Sequence, residues 1–317
     1  MAIDESLKGQ EQEIYELQKR LAVHGEKIVK ETVKRADTLY VFCLWSAGDA
    51  VLIASYVHHL KRMRGFERAA LVGKESHREA ALMFDSVDEF IPIDSDSCVA
   101  VEQSALLFKT NYGENYVIGN LVGINSAQWE LKAVGTPETA ALFNQDKWFK
   151  TMILQIPDFY KCADVSEEFI YPYDEEKAEE WKKSVIIAPH TNTFGDLPME
   201  FCAALTFNFT HRGYTVYTNA HGDEWAIPGS ERLDAPFRDV YDMSRYCTGV
   251  ISFRSGFTDF LAHNPTVRHV VINPDEYSCA FHDVKAWSES TNLINLIADE
   301  PYEHFTSQIV KFILDEE

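Results

Sequence analysis

Short apolar runs alternate with helix-like segments along the first third of the chain. Residues 39–45 form a continuous apolar run, as expected of a strand buried on both faces of a parallel sheet. Strand-like runs recur at 69–72 and 89–93, and the segments 50–64 and 76–84 between them have helical spacing. This alternation predicts βαβ units and a doubly wound α/β sheet.

A second alternating series begins at residue 184. Strand-like runs and helical segments follow one another, with strands predicted at 184–189, 214–218, 250–253 and 269–272 and helices at 199–212, 237–247 and 258–263. The pattern predicts a second Rossmann-like domain that faces the first across a cleft, where ligands bind at the carboxyl ends of the strands.

The remaining segments divide the chain into five parts. We expect N-terminal helices at 1–37, interrupted at Gly25, and a first Rossmann-like domain at 38–164 that includes a strand at 116–122 and a helix at 148–156. A charged, proline-containing stretch predicts a linker at 165–183. The second Rossmann-like domain then covers 184–282, and C-terminal helices cover 283–317.

The composition narrows the class of partner. The chain has 317 residues, of which 46% are hydrophobic and 25% charged, and its formal net charge is −21. This acidic balance disfavours nucleic acid and anionic membrane as partners of a broad surface, but a local pocket can still bind a small anion.

The six cysteines are scattered singly, mostly within apolar runs. This usage is typical of buried thiols in a reducing compartment. The acidic, polar N-terminus is unlike a signal peptide, and no apolar run is long enough for a membrane-spanning helix. We therefore expect a cytoplasmic protein.

Three loops follow predicted strands and lead into predicted helices, and they are the candidates for chemistry. The first is Ser46-Ala47-Gly48-Asp49. Gly48 lets the backbone approach a ligand closely. Asp49 is either a helix cap or a general base that takes a proton from an acceptor hydroxyl.

The second loop begins directly after the strand at 184–189. His190 stands at the carboxyl end of that strand, and Thr191 and Asn192 offer a hydroxyl group and N–H donors for a phosphate. The alternative is that His190 has a purely structural role.

The third loop reads "RSGFTD" and joins a strand to a helix. Its residues are Arg254, Ser255, Gly256, Phe257, Thr258 and Asp259. Free N–H groups at a helix start favour an anion, and arginine adds a bidentate donor. The competing interpretation is a helix cap with a surface arginine and an acidic first turn.

Several familiar motifs are absent from the sequence. No G-x-G-x-x-G follows the first strand of either predicted domain, and no P-loop, H-E-x-x-H or metal-spaced His/Cys cluster occurs. We therefore predict no metal and no bound cofactor.

Two long stretches resemble the ADP-heptose:lipopolysaccharide heptosyltransferase family. The first is "GDAVLIASYVHHLKRMRGFERAALVGKE…VDEFIPID", and the second contains "VIIAPHTNTFGDLPMEFCAAL", "RGYTVYTNAHGDE" and "FRDVYDMSRYCTGVISFRSGFTDFLAH". The resemblance covers roughly 38–94 and 184–275 in pattern and order. It implies a GT-B fold and an inverting, metal-independent transfer of a sugar from a nucleotide sugar to a glycan or lipid-linked acceptor.

The resemblance also implies roles for individual residues. Asp49 matches the proposed base of the family, and Ser255 and Gly256 match its nucleotide-side loop. The family's lysine before "W-P" is missing here, and its "D-S-G-P-M-H" reads "RSGFTD". Arg254 or His190 would then supply the charge that stabilises the leaving diphosphate.

Further candidate contacts follow from position in the chain, after the strand at 214–218. Asn219 and His221, with Asp223 nearby, would bind the base or the ribose of a donor held by the second domain. The first domain would hold the acceptor.

Two other classes of function stay open at this point. One is a non-catalytic GT-B relative that binds a glycan or a protein, and the other is a different nucleotide-sugar enzyme on the same fold. The N-terminal helices leave open a homo-oligomer or an association with the membrane surface.

Overall fold

The computed structural model describes residues 5–110, 113–119, 174–191, 194–262, 264, 266–281, 283–284, 292–298 and 302–316. The chain divides into two compact units. The described residues up to 119 belong to the first unit and those from 174 onward to the second. The helix predicted at 148–156 and the end of the strand predicted at 116–122 lie outside the described residues.

The first unit is built on a four-stranded parallel sheet in the order β3-β2-β1-β4. Its strands are β1 (Thr38–Cys43), β2 (Arg68–Gly73), β3 (Glu89–Pro92) and β4 (Tyr116–Gly119). Its helices are α1 (Glu5–Thr32), α2 (Ala47–Ser55), α3 (Val57–Arg64), α4 (Arg78–Ala81) and α5 (Ser95–Phe108), with a 3-10 turn at Glu75–His77 before α4. Every residue of β1 is buried, as its continuous apolar run predicts.

The N-terminal segment forms one helix, which corrects the prediction of two helices interrupted at Gly25. Gly25 lies inside α1 and is buried against the backbone of α5. A Cβ atom at this position would lie 2.0 Å from the carbonyl oxygen of Ala100. The glycine therefore permits a close helix crossing instead of breaking the helix.

Replacing Gly25 by alanine tests this crossing. Alanine favours an isolated helix by about 1 kcal/mol over glycine, but its methyl group would push α1 away from α5. We expect a net loss of about 1–3 kcal/mol in the free energy of unfolding, measured by urea denaturation. Val23→Ala, at an exposed position of α1, is the control and should change stability by less than about 0.5 kcal/mol. An unchanged or higher urea midpoint for Gly25→Ala would refute the crossing.

The second unit contains a six-stranded parallel sheet in the order β12-β11-β10-β5-β8-β9. Its strands are β5 (Ser184–Ala188), β8 (Thr215–Asn219), β9 (Glu231–Leu233), β10 (Gly249–Phe253), β11 (His269–Asn273) and β12 (Leu293–Ile297), and a small antiparallel hairpin pairs β6 (His190–Thr191) with β7 (Gly195–Asp196). Its helices are α6 (Glu175–Trp181), α7 (Met199–His211), α8 (Phe237–Ser244), α9 (Gly256–Leu261), α10 (Glu276–Phe281) and α11 (Glu303–Leu314).

The core of the second unit lies between its central strands and two helices. Ile187 and Ile251 of adjacent strands are fully buried. They belong to one cluster with Leu205 and Phe209 of α7 and Ile309 of α11. This burial fixes the register of β5 against β10, and so it fixes where the loops after these strands begin.

Two expectations for the second unit need correction. The C-terminal part, 283–317, was expected to be helical, but it contains β12 before α11. The sequence Leu-Ile-Asn-Leu-Ile extends the sheet beside β11, where its apolar residues are better buried than on a surface helix. The predicted linker at 165–183 contains α6, which begins after the side-chain cap of Asp174. None of the described helices is long and apolar enough to cross a membrane.

Candidate functional site

Two of the three predicted loops meet at the centre of the second sheet. Read from β5, the strands follow the 3-2-1-4-5-6 order of a doubly wound sheet, and the order reverses between β5 and β10. β5 leads into His190, and β10 leads into Arg254. Ligands of open parallel sheets bind at the carboxyl ends of the strands beside this reversal. We call this part of the second unit the switch-point edge.

His190 is held by two acceptors within the second unit. Its Nδ1 atom lies 3.0 Å from Oδ1 of Asp196, across the β6–β7 hairpin, and its Nε2 atom lies 2.8 Å from the carbonyl oxygen of Trp225. The indole N–H of Trp225 donates to Oδ2 of the same Asp196, at 2.9 Å. Both contacts of the ring form as hydrogen bonds when both nitrogens carry a proton. The loop thus holds the imidazole of His190 on a fixed scaffold.

Arg254 forms a buried ion pair inside the third loop. One guanidinium nitrogen lies 2.6 Å from Oδ1 of Asp259, and another donates to the carbonyl oxygen of Ser255. The Arg254 side chain is only 4% exposed. Burial raises the pKa of Asp259, and the charge of Arg254 opposes that rise. This geometry makes Arg254 a residue that positions the loop, and its contact with a phosphate stays a prediction.

A chain of buried hydrogen bonds connects the same loop to β10 and β11. Ser252 Oγ lies 2.8 Å from Nε2 of His269 and 3.1 Å from Oγ1 of Thr258. Thr258 donates to the carbonyl oxygen of Phe253 and accepts from the backbone N–H of Ser255. Burial lowers the pKa of His269 to about 3, so this histidine is neutral. Because Thr258 donates its hydroxyl proton to Phe253, Ser252 donates to Thr258 and accepts from Nε2–H of His269.

The other residues of the third loop have distinct surroundings. Ser255 and Gly256 are half-buried at the start of α9, and they are its most exposed positions. Phe257 is buried, with its ring 6.2 Å from that of Phe237 on α8. The phenylalanine therefore anchors the loop, while Ser255 and Gly256 remain partly exposed.

Two asparagines end strands on either side of the switch-point edge. Asn219 ends β8, next to β5, and Asn273 ends β11, next to β10. Both are buried, with Asn219 7% exposed, and among the described residues neither Oδ1 atom has a hydrogen-bond partner. A buried amide oxygen without a partner is costly, so water or a ligand is expected to donate to it.

The other predicted residues near the switch-point edge are more peripheral. His221 is partly exposed and lies 3.1 Å from Oδ1 of Asp234, whose pKa is lowered chiefly by this hydrogen bond. Asp223 is exposed in the following turn. Thr191 accepts a hydrogen bond from the backbone N–H of Phe194. Asn192 lies outside the described residues.

The first predicted loop belongs to the first unit, at the carboxyl end of β1. Ser46 caps α2, and Asp49 completes a capping box. Oδ2 of Asp49 accepts from the hydroxyl of Ser46 at 2.6 Å and from its backbone N–H at 3.1 Å. Gly48 is buried in the first turn of the same helix. Asp49 therefore has a structural role, and its role as a base stays a prediction.

The sequence did not identify three residues that the structure places in this region. Asp196 and Trp225 fix His190, and Asn273 mirrors Asn219 on the far side of β10. Asn273 had a usable signal, because β8 and β11 are both apolar strands that end in asparagine. The contact with Trp225 had none, since it joins residues far apart in the chain. Among the described residues, no group of three His, Cys, Asp or Glu side chains is arranged to hold a metal ion.

No protein-family model matches the sequence, and no curated protein matches it either. Solved structures are similar in fold. Escherichia coli ADP-heptose LPS heptosyltransferase II has a TM-score of 0.58 and 11% identity, covering 88% of this chain and 99% of that one. A glycosyl transferase family 9 protein from Veillonella parvula has a TM-score of 0.55 and 14% identity, covering 88% and 92%.

A third similar structure is E. coli heptosyltransferase WaaC with ADP, with a TM-score of 0.53 and 10% identity, covering 88% of this chain and 100% of that one. At such low identities, the TM-scores and coverages show a shared fold alone. The predicted α/β architecture is confirmed, and the chain has the GT-B fold of the heptosyltransferases that its sequence resembles.

Proposed function

We propose that the protein is a glycosyltransferase that moves a sugar from a nucleotide-sugar donor to a glycan or lipid-linked acceptor. The observation that carries the proposal is the meeting of two predicted donor loops, at His190 and at Arg254, on the switch-point edge of the second sheet. The similarity in fold to solved glycosyltransferases over 88% of the chain supports it.

The donor would lie against the switch-point edge of the second unit. The partly exposed Ser255 and Gly256 would contact the diphosphate, and Arg254 would hold the loop in place through Asp259 and the carbonyl oxygen of Ser255. His190 would stabilise the leaving group from the adjoining loop. Oδ1 of Asn219 would accept a hydrogen bond from the base or ribose, which would satisfy a buried acceptor.

The acceptor hydroxyl would be activated by Asp49 of the first unit. Asp49 would take the proton as the acceptor oxygen bonds to the anomeric carbon. The bond from that carbon to the phosphate oxygen would break, and the nucleoside diphosphate would leave with the electron pair. Attack from the face opposite the leaving group gives inversion. No metal ion takes part in this proposed step, so sugar transfer should continue in an excess of EDTA.

Nucleotide binding gives the direct test of the donor site. We expect one of ADP, GDP, UDP or CDP, or one of their sugars, to bind in isothermal titration calorimetry. Asn219→Ala should weaken that binding about 3- to 10-fold, which is the effect of losing one neutral hydrogen bond. It should leave the melting temperature nearly unchanged, because Oδ1 of Asn219 has no hydrogen-bond partner among the described residues.

Asn208→Ala is the matched control, since Asn208 is a half-buried asparagine near the C-terminal end of α7 and should not affect the affinity. If no nucleotide binds to the wild type, the proposed function is wrong and a non-catalytic GT-B relative is favoured. If a nucleotide binds equally well to Asn219→Ala, the role of Asn219 is wrong and the function stands.

A further inference from the structure

The first half of α1 is an exposed helix with an apolar stripe. The helix has 28 residues, so it is about 42 Å long. All residues from 12 to 20 are exposed, among them Ile14 at 56% and Leu17 at 52%. These two residues and the half-buried Leu21 are spaced three and four positions apart, so they share one face of the helix. An apolar stripe of this kind on an exposed helix indicates an interaction surface.

The exposed stripe lies before the part of α1 that attaches the helix to its own unit. α1 packs on α5 through the buried residues Ala22, Gly25 and Val29, all in its second half. Ile14, Leu17 and Leu21 have the spacing of one seven-residue repeat, whereas Ile28, seven residues further on, packs against the core of the first unit. A seven-residue apolar repeat is the pattern by which one helix pairs with another.

The charges beside the stripe indicate which partner fits. Glu13, Arg20 and Lys27 are seven residues apart, so they lie along one flank of the stripe. The flank is therefore acidic in the first half of the helix and basic in the second. Lys27 lies 3.7 Å from Glu31 of the same helix, and both side chains are exposed. This pair does not involve Glu13 or Arg20, so the acidic and the basic position of the flank are unchanged. A second copy of the helix in the opposite direction would set Glu13 against Arg20.

We propose that α1 pairs antiparallel with α1 of a second copy of this chain. Ile14 packs against Leu17 of the second copy, and Glu13 faces Arg20 of the second copy on both sides of the two-fold axis. An anionic membrane is the less suitable partner, because Glu13 and Glu16 would approach its surface. The pairing is independent of the proposed function, since it uses no residue assigned to the donor or acceptor.

The mass of the full-length protein in solution tests the pairing. Light scattering coupled to size-exclusion chromatography should give the mass of two copies for the wild type. The double variant Ile14→Glu/Leu17→Glu should give the mass of one copy with unchanged helicity, because both residues are exposed. Val23→Glu is the matched control: Val23 is 55% exposed on nearly the opposite face of α1, and this variant should remain a dimer.

Charge exchange tests the antiparallel direction. Glu13→Lys sets two positive charges against each other, because the new lysine faces Arg20 of the second copy. Arg20→Glu sets two negative charges against each other at the same contact, so each variant alone should dissociate more readily. An equal mixture of the two variants pairs each changed side chain with its opposite charge and should recover the dimer. In a parallel pair Glu13 would face Gln18, and mixing would recover nothing.

Three results would overturn the proposal. They are a wild type of one-copy mass at micromolar concentration, a dimer that survives Ile14→Glu/Leu17→Glu, and a dimer whose charge variants are not rescued by mixing. Co-sedimentation with phosphatidylglycerol vesicles that depends on Ile14 and Leu17, together with a one-copy mass, would assign the stripe to a membrane surface instead.

Discussion

Arg254→Met is expected to lower the free energy of unfolding by about 3–5 kcal/mol at pH 7. The substitution keeps much of the side-chain volume but removes the charge that lies 2.6 Å from Asp259. The carboxylate is then buried without its counter-charge, and Ser255 loses one of the donors to its carbonyl oxygen. Urea denaturation of the full chain, followed by circular dichroism, measures the loss.

The loss should shrink as the pH falls. Burial already raises the pKa of Asp259, and without Arg254 nothing in that pair opposes the rise. A carboxyl group whose pKa is raised on folding stabilises the folded state at low pH and loses that contribution as the pH rises through its folded pKa. The difference between wild type and Arg254→Met should therefore be smaller at pH 5 than at pH 7, by up to about 1.4 kcal/mol per pH unit.

Two controls distinguish the effect of breaking the buried ion pair from the effect of removing any arginine charge. Arg212→Met removes an arginine whose ion pair with Glu316 is exposed and 3.9 Å long, and it should cost less than about 1 kcal/mol. The double variant Arg254→Met/Asp259→Leu removes both charges and should recover most of the lost stability. If Arg254→Met costs no more than Arg212→Met, the pair does not hold the loop.

The fold was predictable where burial controls the pattern. Strands such as β1 and β5 come from continuous apolar runs, and these were located within a few residues. β9 and β12 were not predicted. α5 was missed because its sequence mixes small, polar and apolar residues without a clear stripe. The sequence also could not show that Gly25 lies in a helix crossing, since a glycine there fits a helix break equally well.

The site was predictable in position but not in its contacts. Loops at the carboxyl ends of β5 and β10 follow from the strand pattern, and the sheet order then brings them together. The partner of Arg254 lies five residues away in the same loop, yet only the fold of α9 shows that both side chains turn inward. The partners of His190 depend on a hairpin and on a distant tryptophan, and no local pattern encodes them.

Asp49→Asn is expected to reduce kcat for sugar transfer about 10²- to 10⁴-fold, the usual contribution of a general base. An amide cannot take the proton of the acceptor hydroxyl. It still presents an oxygen to the backbone N–H of Ser46, so the cap of α2 is largely kept. KM for the donor should change little, because the proposed donor site belongs to the second unit. Initial rates of nucleoside diphosphate release, measured with the bound nucleotide sugar and its acceptor, give both constants.

Ser46→Ala is the matched control for this substitution. It removes the hydroxyl that donates to Asp49 and costs about 1 kcal/mol of stability, but it leaves the carboxylate in place. A base at Asp49 therefore predicts a large loss of kcat in Asp49→Asn and a small one in Ser46→Ala. Equal losses in both variants would show that the loop needs only its cap, and the proton acceptor would have to be sought elsewhere in the first unit. An unchanged kcat in Asp49→Asn would show that Asp49 is not the general base. It would not affect the proposal that the second unit binds the nucleotide.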